Sequence, residues 1–430
     1  MASYAFSPDV RAAACGLLVA FVLMATAQAR PRGCEIRDGR LFVDGKWVFL
    51  KIGKPLRNFA LAEACEKLIA DLAILQQKGY NCLELNCYWH HFDKDGDGRP
   101  DASLAPLRKL VDAIAARGMF PCLSVETYGV GGGQVPEPFW GRNPDAYAIT
   151  HEGKPLRDTE YGFHTKVPCL FSPGYRETAR RFIRAMAAGI DHTKLLWFET
   201  TVEPQYIGNQ HLDYSVHARR AYEAWLKTTG TSGPTWPVRF PVPAAFVNHP
   251  TWNRFRAEAL ADWVNGDAAA FRSVAGADAY VAVDYLETGG GEMRNRNGDS
   301  VAFLTQLTAA TVVQVNWHWH LGTRSTNHVA YRNVRAAMAK TRRQWAICEH
   351  MTLNGSDFRP AEVAPLLRST LRHGTRLGWE FVNVAPSSGD PFALYNDDWS
   401  PKPLMAEVDR RWEQWLNEVR REPSTQETTR

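Results

Sequence analysis

Apolar and polar positions along the chain alternate between two kinds of segment. Short runs rich in apolar and β-branched residues are typical of buried strands, and they occur at 46–53, 81–89, 120–128, 195–202, 279–288, 311–320, 344–352 and 376–384. Longer segments with apolar residues three to four positions apart predict helices, at 61–79, 103–118, 175–189, 211–228, 250–274, 301–310, 328–342, 361–373 and 403–420.

Regular alternation of strand and helix predicts a parallel sheet with helical crossovers. Eight such units favour a closed (β/α)8 TIM barrel, which has no sheet edges. A doubly wound open sheet is the alternative, but it usually carries a glycine-rich turn after its first strand. The stretch "KIGKPLRN" (51–58) has no such turn. No linker divides 30–430, so we expect a single domain of the α/β class.

The first 29 residues have the pattern of a secretory signal peptide. Arg11 precedes an apolar run from Ala12 to Ala27, and Ala27 and Ala29 offer the small side chains of a cleavage site. The alternative is a membrane anchor, but the run is shorter than the roughly 20 residues that a span needs. We therefore expect a secreted or periplasmic protein with no stable membrane insertion after cleavage.

Charge and cysteine content narrow the function further. The net charge of +4 comes without a block of Lys and Arg, so no nucleic-acid partner is indicated. Of the eight cysteines, Cys15 lies in the signal segment, which leaves an odd number. A protein of this size does not need a disulfide framework, so we expect one or two bridges at most.

Acidic residues stand at the ends of several predicted strands. In a barrel, catalytic groups lie at the carboxyl ends of strands, where this chain has Glu126, Glu203, Glu287 and Glu349. Glu203 and Glu349 end the fourth and seventh strands, which face each other across the mouth. Two carboxylates there can cleave a glycosidic bond, one as acid and one as nucleophile. The alternative is that each is an ordinary acid in a surface salt bridge.

This arrangement resembles the clan A retaining glycoside hydrolases. "VEP" (202–204) resembles their Asn-Glu-Pro, and three longer stretches are similar to the family 42 β-galactosidase-type enzymes: "FWGRNPDAY" (139–147), "CLFSPGYRETARRFI" (169–183) and the segment 221–256. The resemblance implies that Glu203 is the acid/base and Glu349 the nucleophile. One departure is Val202, where clan members usually carry an Asn that contacts the sugar 2-hydroxyl.

Further candidates surround the predicted mouth. Aromatic and polar side chains at strand ends suit a sugar, whose C–H faces pack on aromatic rings. The proposed substrate-binding residues are Trp89, His90, Glu126, Asn316, His318 and Trp379. For the aromatic and histidine side chains, structural packing is the alternative role.

The segment "DKDGDGRPD" (93–101) matches the start of a calcium loop. Its candidate ligands are Asp93, Asp95, Asp97 and Asp101. No EF-hand glutamate follows at the usual spacing, so the alternative is a solvated acidic turn. No cofactor is expected for the chemistry, and an ion here would brace the loop.

Together these patterns predict an exported retaining β-glycosidase, β-galactosidase-like, acting on an oligo- or polysaccharide by double displacement. The alternatives are an endo-β-glycanase of the same clan and a catalytically silent sugar-binding barrel.

The signal segment yields a direct prediction. The mature chain should begin near Arg30, because cleavage is expected after Ala29. N-terminal sequencing of exported protein measures this, and an intact Met1 on cytosolic protein would contradict it.

Overall fold

A computed structural model describes residues 31, 33–128, 134–158, 165–207, 211–287, 296–316, 329–353 and 359–421. The predicted signal segment 1–29 and His318 lie outside these residues. The described part of the chain starts with a three-stranded antiparallel sheet, β1 (Cys34–Arg37), β2 (Arg40–Val43) and β3 (Lys46–Val48). The sequence patterns did not predict β1 and β2.

Eight parallel strands then close into a barrel, which confirms the predicted fold. Neighbours follow chain order, and β13 pairs with β4 to close the ring. The strands are β4 (Leu50–Lys54), β5 (Cys82–Tyr88), β6 (Phe120–Glu126), β9 (Phe198–Glu199), β10 (Val281–Leu286), β11 (Val312–Asn316), β12 (Ala346–Met351) and β13 (Gly378–Val382). Between β6 and β9, a two-residue ribbon pairs β7 (Arg157–Asp158) with β8 (Thr165–Lys166).

Helices surround the barrel, and the longer ones lie at the predicted places, whereas the three four-residue helices were not predicted. The helices are α1 (Ala62–Gln77), α2 (Trp89–Phe92), α3 (Ala105–Ala116), α4 (Phe139–Arg142), α5 (Pro173–Gly189), α6 (Val216–Thr229), α7 (Ala244–Val247), α8 (Pro250–Ala275), α9 (Ser300–Gln306), α10 (Val329–Thr341), α11 (Pro360–His373), α12 (Pro403–Arg410) and α13 (Trp412–Arg421). The predicted helix 403–420 is divided at Arg411. Among the described helices, none has both the length and the apolar character needed to cross a bilayer.

Local sequence explains where the longer helices begin and end. The Ser172 hydroxyl accepts a hydrogen bond from the Tyr175 amide at the start of α5, and Pro173 fills the first helical position. Ser215 caps α6 in the same way, and α6 ends at Gly230 in the left-handed region.

The fourth barrel strand is shorter than its sequence suggested. The prediction ran from 195 to 202, but the ladder covers only Phe198–Glu199. Glu203 therefore lies four residues beyond the strand, and the acid at the strand end itself is Glu199. Beyond Glu199 the Thr201 hydroxyl donates to the carboxylate of Glu126 at the end of β6.

The barrel interior is apolar at the amino-terminal end of the strands and polar toward their carboxyl ends. Leu50, Ile52, Trp197 and Val312 pack with Leu41 of β2, so the N-terminal sheet lies against this end of the barrel. All seven cysteines of the described chain are buried and unbridged. The sulfur atoms of Cys82 and Cys122 are 3.4 Å apart in this layer.

A buried ion cluster fills the middle of the barrel. The Lys54 ammonium lies 2.6 Å from Glu84, 3.0 Å from Glu199 and 3.7 Å from Glu380. Because β4 and β9 are not neighbours, the Lys54–Glu199 contact must cross the interior. Gln314 on β11 joins the cluster by donating to Glu84 and Glu380.

The charges of this cluster are balanced through protons. Burial acts to lower the pKa of Lys54, but the surrounding carboxylates raise it well above its ordinary value. Burial acts to raise the pKa of Glu84, but the Lys54 charge brings it below the ordinary value. Burial and the Glu84 charge raise the pKa of Glu199 and of Glu380 well above the ordinary value. The cluster thus favours the charged forms of Lys54 and Glu84 and the protonated forms of Glu199 and Glu380.

Replacing the central cation tests this description. Lys54→Met should lower the free energy of unfolding at neutral pH by about 3–5 kcal/mol, because it leaves buried carboxyl groups without their cation. The ionised Glu84 contributes stability that is lost as pH falls, so the difference from wild type should shrink in acid.

Urea unfolding across pH measures both effects. Lys109→Met is the matched control, because the Lys109–Glu66 pair is exposed and should contribute little. Equal losses in the two variants would contradict a central role for Lys54.

Candidate functional site at the barrel mouth

Glu203 lies at the carboxyl end of the barrel in an uncommon backbone conformation. Its φ is 49°, in the left-handed region that non-glycine residues seldom occupy. Its side chain is only 8% exposed. The Asn316 amide donates to one carboxyl oxygen at 2.7 Å, and Gln205 donates to the other at 3.3 Å. Strained positions of this kind cluster at functional sites.

The environment of Glu203 favours its protonated form. Burial raises the pKa of Glu203 to about 7, although the Asn316 hydrogen bond and the charge of Arg296 act in the opposite direction. A carboxyl group with this pKa holds a proton in a large fraction of molecules near neutral pH. It can therefore act as a general acid and afterwards as a general base.

Glu126, at the end of β6, braces the segment that leads to Glu203. It accepts hydrogen bonds from Asn86 and Ser124 at 2.9 Å, and from the Thr201 hydroxyl and the Val202 amide at 3.1 Å. With both oxygens engaged, Glu126 holds the backbone next to Glu203. The predicted substrate contact of Glu126 stays a prediction.

Asp284 and His350 also face the interior, and sequence reasoning missed both. The Asn316 amide nitrogen that donates to Glu203 lies 3.4 Å from Asp284. The His350 imidazole contacts Glu380 at 2.8 Å and lies 3.9 Å from Asp284. Burial raises the pKa of Asp284 to about 7 and lowers the pKa of His350. Counting alternate residues from Cys348 assigns His350 to the interior, and Asp284 lies beside Gln314 in the ladder and shares its face.

The predicted pairing of Glu349 with Glu203 across the mouth is wrong. The Glu349 carboxylate accepts a hydrogen bond from Tyr331 of α10, which packs outside the barrel. In the ladders Glu349 lies opposite Val315 and Trp379, and Trp379 also faces the helices. Successive side chains of a strand point to opposite faces, so the interior position at this strand end belongs to His350.

The two tryptophans proposed to contact the sugar are fully buried in the helical layer. Trp379 packs on Phe49, Trp412 and Trp415, and its indole donates to Thr370. Trp89 lies in a separate aromatic group with Phe139 and Phe182 and donates to Asp93. Neither reaches the mouth, so both predictions are wrong and the structural alternative holds.

His90 and Asn316, unlike the two tryptophans, lie at strand ends near the barrel mouth, as predicted. His90 is partly exposed after β5, in ring contact with His91 at 4.2 Å. Asn316 ends β11 and is hydrogen-bonded to Glu203. The structure therefore brings Asn316 and Glu203 together, and a sugar contact by His90 or Asn316 stays a prediction.

The acidic loop after α2 gathers three of its four candidate ligands. Carboxylate oxygens of Asp93, Asp95 and Asp101 lie within 4.8 Å of one another. Asp97 lies outside this group. Asp93 is buried and accepts hydrogen bonds from the Gly96 and Gly98 amides, which fixes its position. Three clustered carboxylates provide the oxygen ligands that calcium prefers.

Comparison by sequence finds no matching family model and no matching curated protein. By structure, the chain is similar to a β-galactosidase from the psychrophilic Marinomonas ef1, with TM-score 0.63 and 13% identity over 87% of this chain and 62% of that one. It is similar to the catalytic domain of a β-amylase from Paenibacillus polymyxa, with TM-score 0.62 and 12% identity over 84% and 97%. A family 42 β-galactosidase from G. stearothermophilus has TM-score 0.62 and 15% identity over 86% and 57%.

These similarities concern the fold. The chain spans about three-fifths of the length of the two β-galactosidases. The resemblance to family 42 enzymes expected from the sequence is thus present in the structure, as a shared barrel fold at low sequence identity.

Calcium binding at the acidic loop is directly testable. Added Ca²⁺ should raise the thermal unfolding midpoint of the wild type, because binding to the folded state alone stabilises it. Asp101→Asn should remove most of this shift, because it deletes one ligand charge. Asp97→Asn, outside the cluster, is the control and should retain the shift. Thermal unfolding with and without a chelator measures it, and no shift in the wild type would leave the loop as a solvated turn.

Proposed function

We propose that the chain is an exported glycoside hydrolase that cleaves β-glycosidic bonds with Glu203 as general acid. One observation carries this proposal. A buried carboxyl group at the carboxyl end of a (β/α)8 barrel, where catalytic groups of this fold lie, has a pKa raised to about 7. Similar structures include β-galactosidases and a β-amylase, which supports a carbohydrate substrate.

The proposed chemistry follows from the state of Glu203. Its protonated carboxyl group gives a proton to the glycosidic oxygen as the bond to the anomeric carbon breaks. In double displacement, a second carboxylate bonds to the anomeric carbon. Glu203, now ionised, then takes a proton from the water that releases the sugar. The second carboxylate is not Glu349 in this geometry, since that side chain lies outside the barrel wall.

An activity assay distinguishes the proposed enzyme from two alternatives, an endo-β-glycanase and a catalytically silent sugar-binding barrel. A β-galactosidase-like exo enzyme releases single sugars from aryl glycosides, whereas an endo-β-glycanase requires longer chains. A silent sugar-binding barrel retains binding without turnover. Val202 favours the silent barrel, because it offers no side-chain hydrogen bond where clan A enzymes usually carry Asn.

Variants at the two glutamates separate the roles. Glu203→Gln should lower kcat/KM by about 10²–10⁴ for substrates with poor leaving groups, because general acid catalysis contributes that much. The loss should be smaller for dinitrophenyl glycosides, which need little protonation, and azide should restore turnover of Glu203→Ala with retained configuration.

Glu349→Gln is the discriminating variant. It should keep most of the activity and lose stability, because it perturbs the buried contact with Tyr331. The measurement is a panel of aryl glycosides with purified variants whose folding is checked by circular dichroism. A folded Glu349→Gln protein that is inactive on every substrate would restore Glu349 as the nucleophile and contradict the proposed site.

A further inference from the structure

We infer that Asp284 is a positioning residue for Glu203: the Asn316 amide, which contacts both side chains, keeps the two carboxyl groups close, and the Asp284 charge favours the acid form of Glu203. The inference rests on the proposed function for its catalytic consequence. Its physical content is that Glu203 and Asp284 hold one proton between them.

The geometry places the two acids close together. The Asn316 amide nitrogen lies 2.7 Å from a Glu203 oxygen and 3.4 Å from an Asp284 oxygen, so these two oxygens are at most about 6 Å apart. Two carboxylates that close, in an interior of low dielectric constant, do not both ionise readily. The negative charge of either one therefore favours the proton on the other.

The surrounding cations favour ionisation, Arg296 and Lys54 at Glu203 and His350 and Lys54 at Asp284, but burial outweighs them at both acids. The charged or titratable groups that influence it from the other elements are Lys54, Glu84, Glu126, Glu199, Arg296, His350 and Glu380. The Lys54 ammonium is in direct contact with Glu84 and Glu199. Burial lowers the pKa of His350, the imidazole nearest to Asp284.

Asp284 itself is poorly satisfied. Its side chain is fully buried, and its Oδ1 has no hydrogen-bond partner among the described residues. Burying an ionised carboxylate is unfavourable when one of its oxygens lacks a hydrogen bond. This environment therefore favours the protonated form of Asp284. Burial raises the pKa of both Glu203 and Asp284 to about 7, and the Glu203 charge raises that of Asp284 further, so we expect the two groups to titrate as one system.

Exposure decides which member can deliver the proton. Glu203 is 8% exposed, whereas Asp284 is 0% exposed. Glu203 is therefore the member that reaches a substrate oxygen, and Asp284 acts through it. Asn316, which the sequence suggested as a sugar contact, is the link between them.

Removing either partner of Glu203 should move its titration in opposite directions. Asp284→Asn deletes a negative charge, so Glu203 should lose its proton more easily and the basic limb of the kcat/KM profile should move down by about one pH unit. Asn316→Ala deletes a hydrogen bond that stabilises the ionised form, so the same limb should move up. A purely structural role would lower activity without moving the limb.

The control is a buried aspartate outside the barrel. Burial raises the pKa of Asp267 on α8 to about 6, and it pairs with Arg180. Asp267→Asn should leave the limb in place. If Asp284→Asn instead abolishes turnover even of dinitrophenyl glycosides, and azide restores it with inverted configuration, Asp284 is the nucleophile and the positioning role is overturned.

A second readout does not require turnover. Infrared difference spectra between about pH 6 and 8 should show loss of a protonated carboxyl band in the wild type, from the shared proton. The change should shift to lower pH in both Glu203→Gln and Asp284→Asn, because each variant removes one of the two interacting charges. An unshifted band in Asp284→Asn would overturn the inference. A shifted band in a protein that cleaves no glycoside would retain the inference and reject the proposed function.

Discussion

The barrel interior depends on one buried cation. The Lys54 ammonium contacts carboxyl groups from β5, β9 and β13, so it joins four of the eight strands across the centre. Ion pairs of this kind are costly to desolvate, and they are stable only when the remaining polar atoms are also bonded. Here Trp197 and Gln314 supply those bonds to Glu84. The cluster therefore separates an apolar end, where the N-terminal sheet lies, from an acid-rich mouth.

The mouth is organised around a strained residue. A glutamate with a φ of 49° is held there only if its neighbours fix the chain on either side. Glu126 does so before Glu203 by binding the Val202 amide, and Asn316 does so at the carboxyl group itself. The short ladder of β9 is consistent with this. The chain leaves the sheet after Glu199, and hydrogen bonds to Glu126 then hold Thr201 and Val202.

The architecture could be predicted from the sequence because buried strands are recognisable as short runs of apolar and β-branched residues. All eight barrel strands occur where apolar, β-branched runs were found, and the closed ring follows from their alternation with helices. The site required finer information, namely which face each side chain occupies. In "CEHM" a shift of one position exchanges Glu349 for His350, and with it the outer layer for the interior. Trp379 was misassigned for the same reason, and Trp89 because aromatic residues fill helical layers as often as clefts.

Alternation along neighbouring strands was the available signal for the rest of the site. In β10 and β11, Asp284 and Gln314 occupy paired positions, and Asn316 follows two residues later on the same face. Once Gln314 is assigned to the interior, Asp284 and Asn316 must be there too. What no alternation rule predicts is how charge is distributed among these acids. That depends on distances across the barrel, where the Lys54 charge favours the ionised form of Glu84 and burial favours the protonated forms of Glu199 and Glu380. The proton state of Glu203 is thus a property of the whole interior, and the shared fold alone does not determine it.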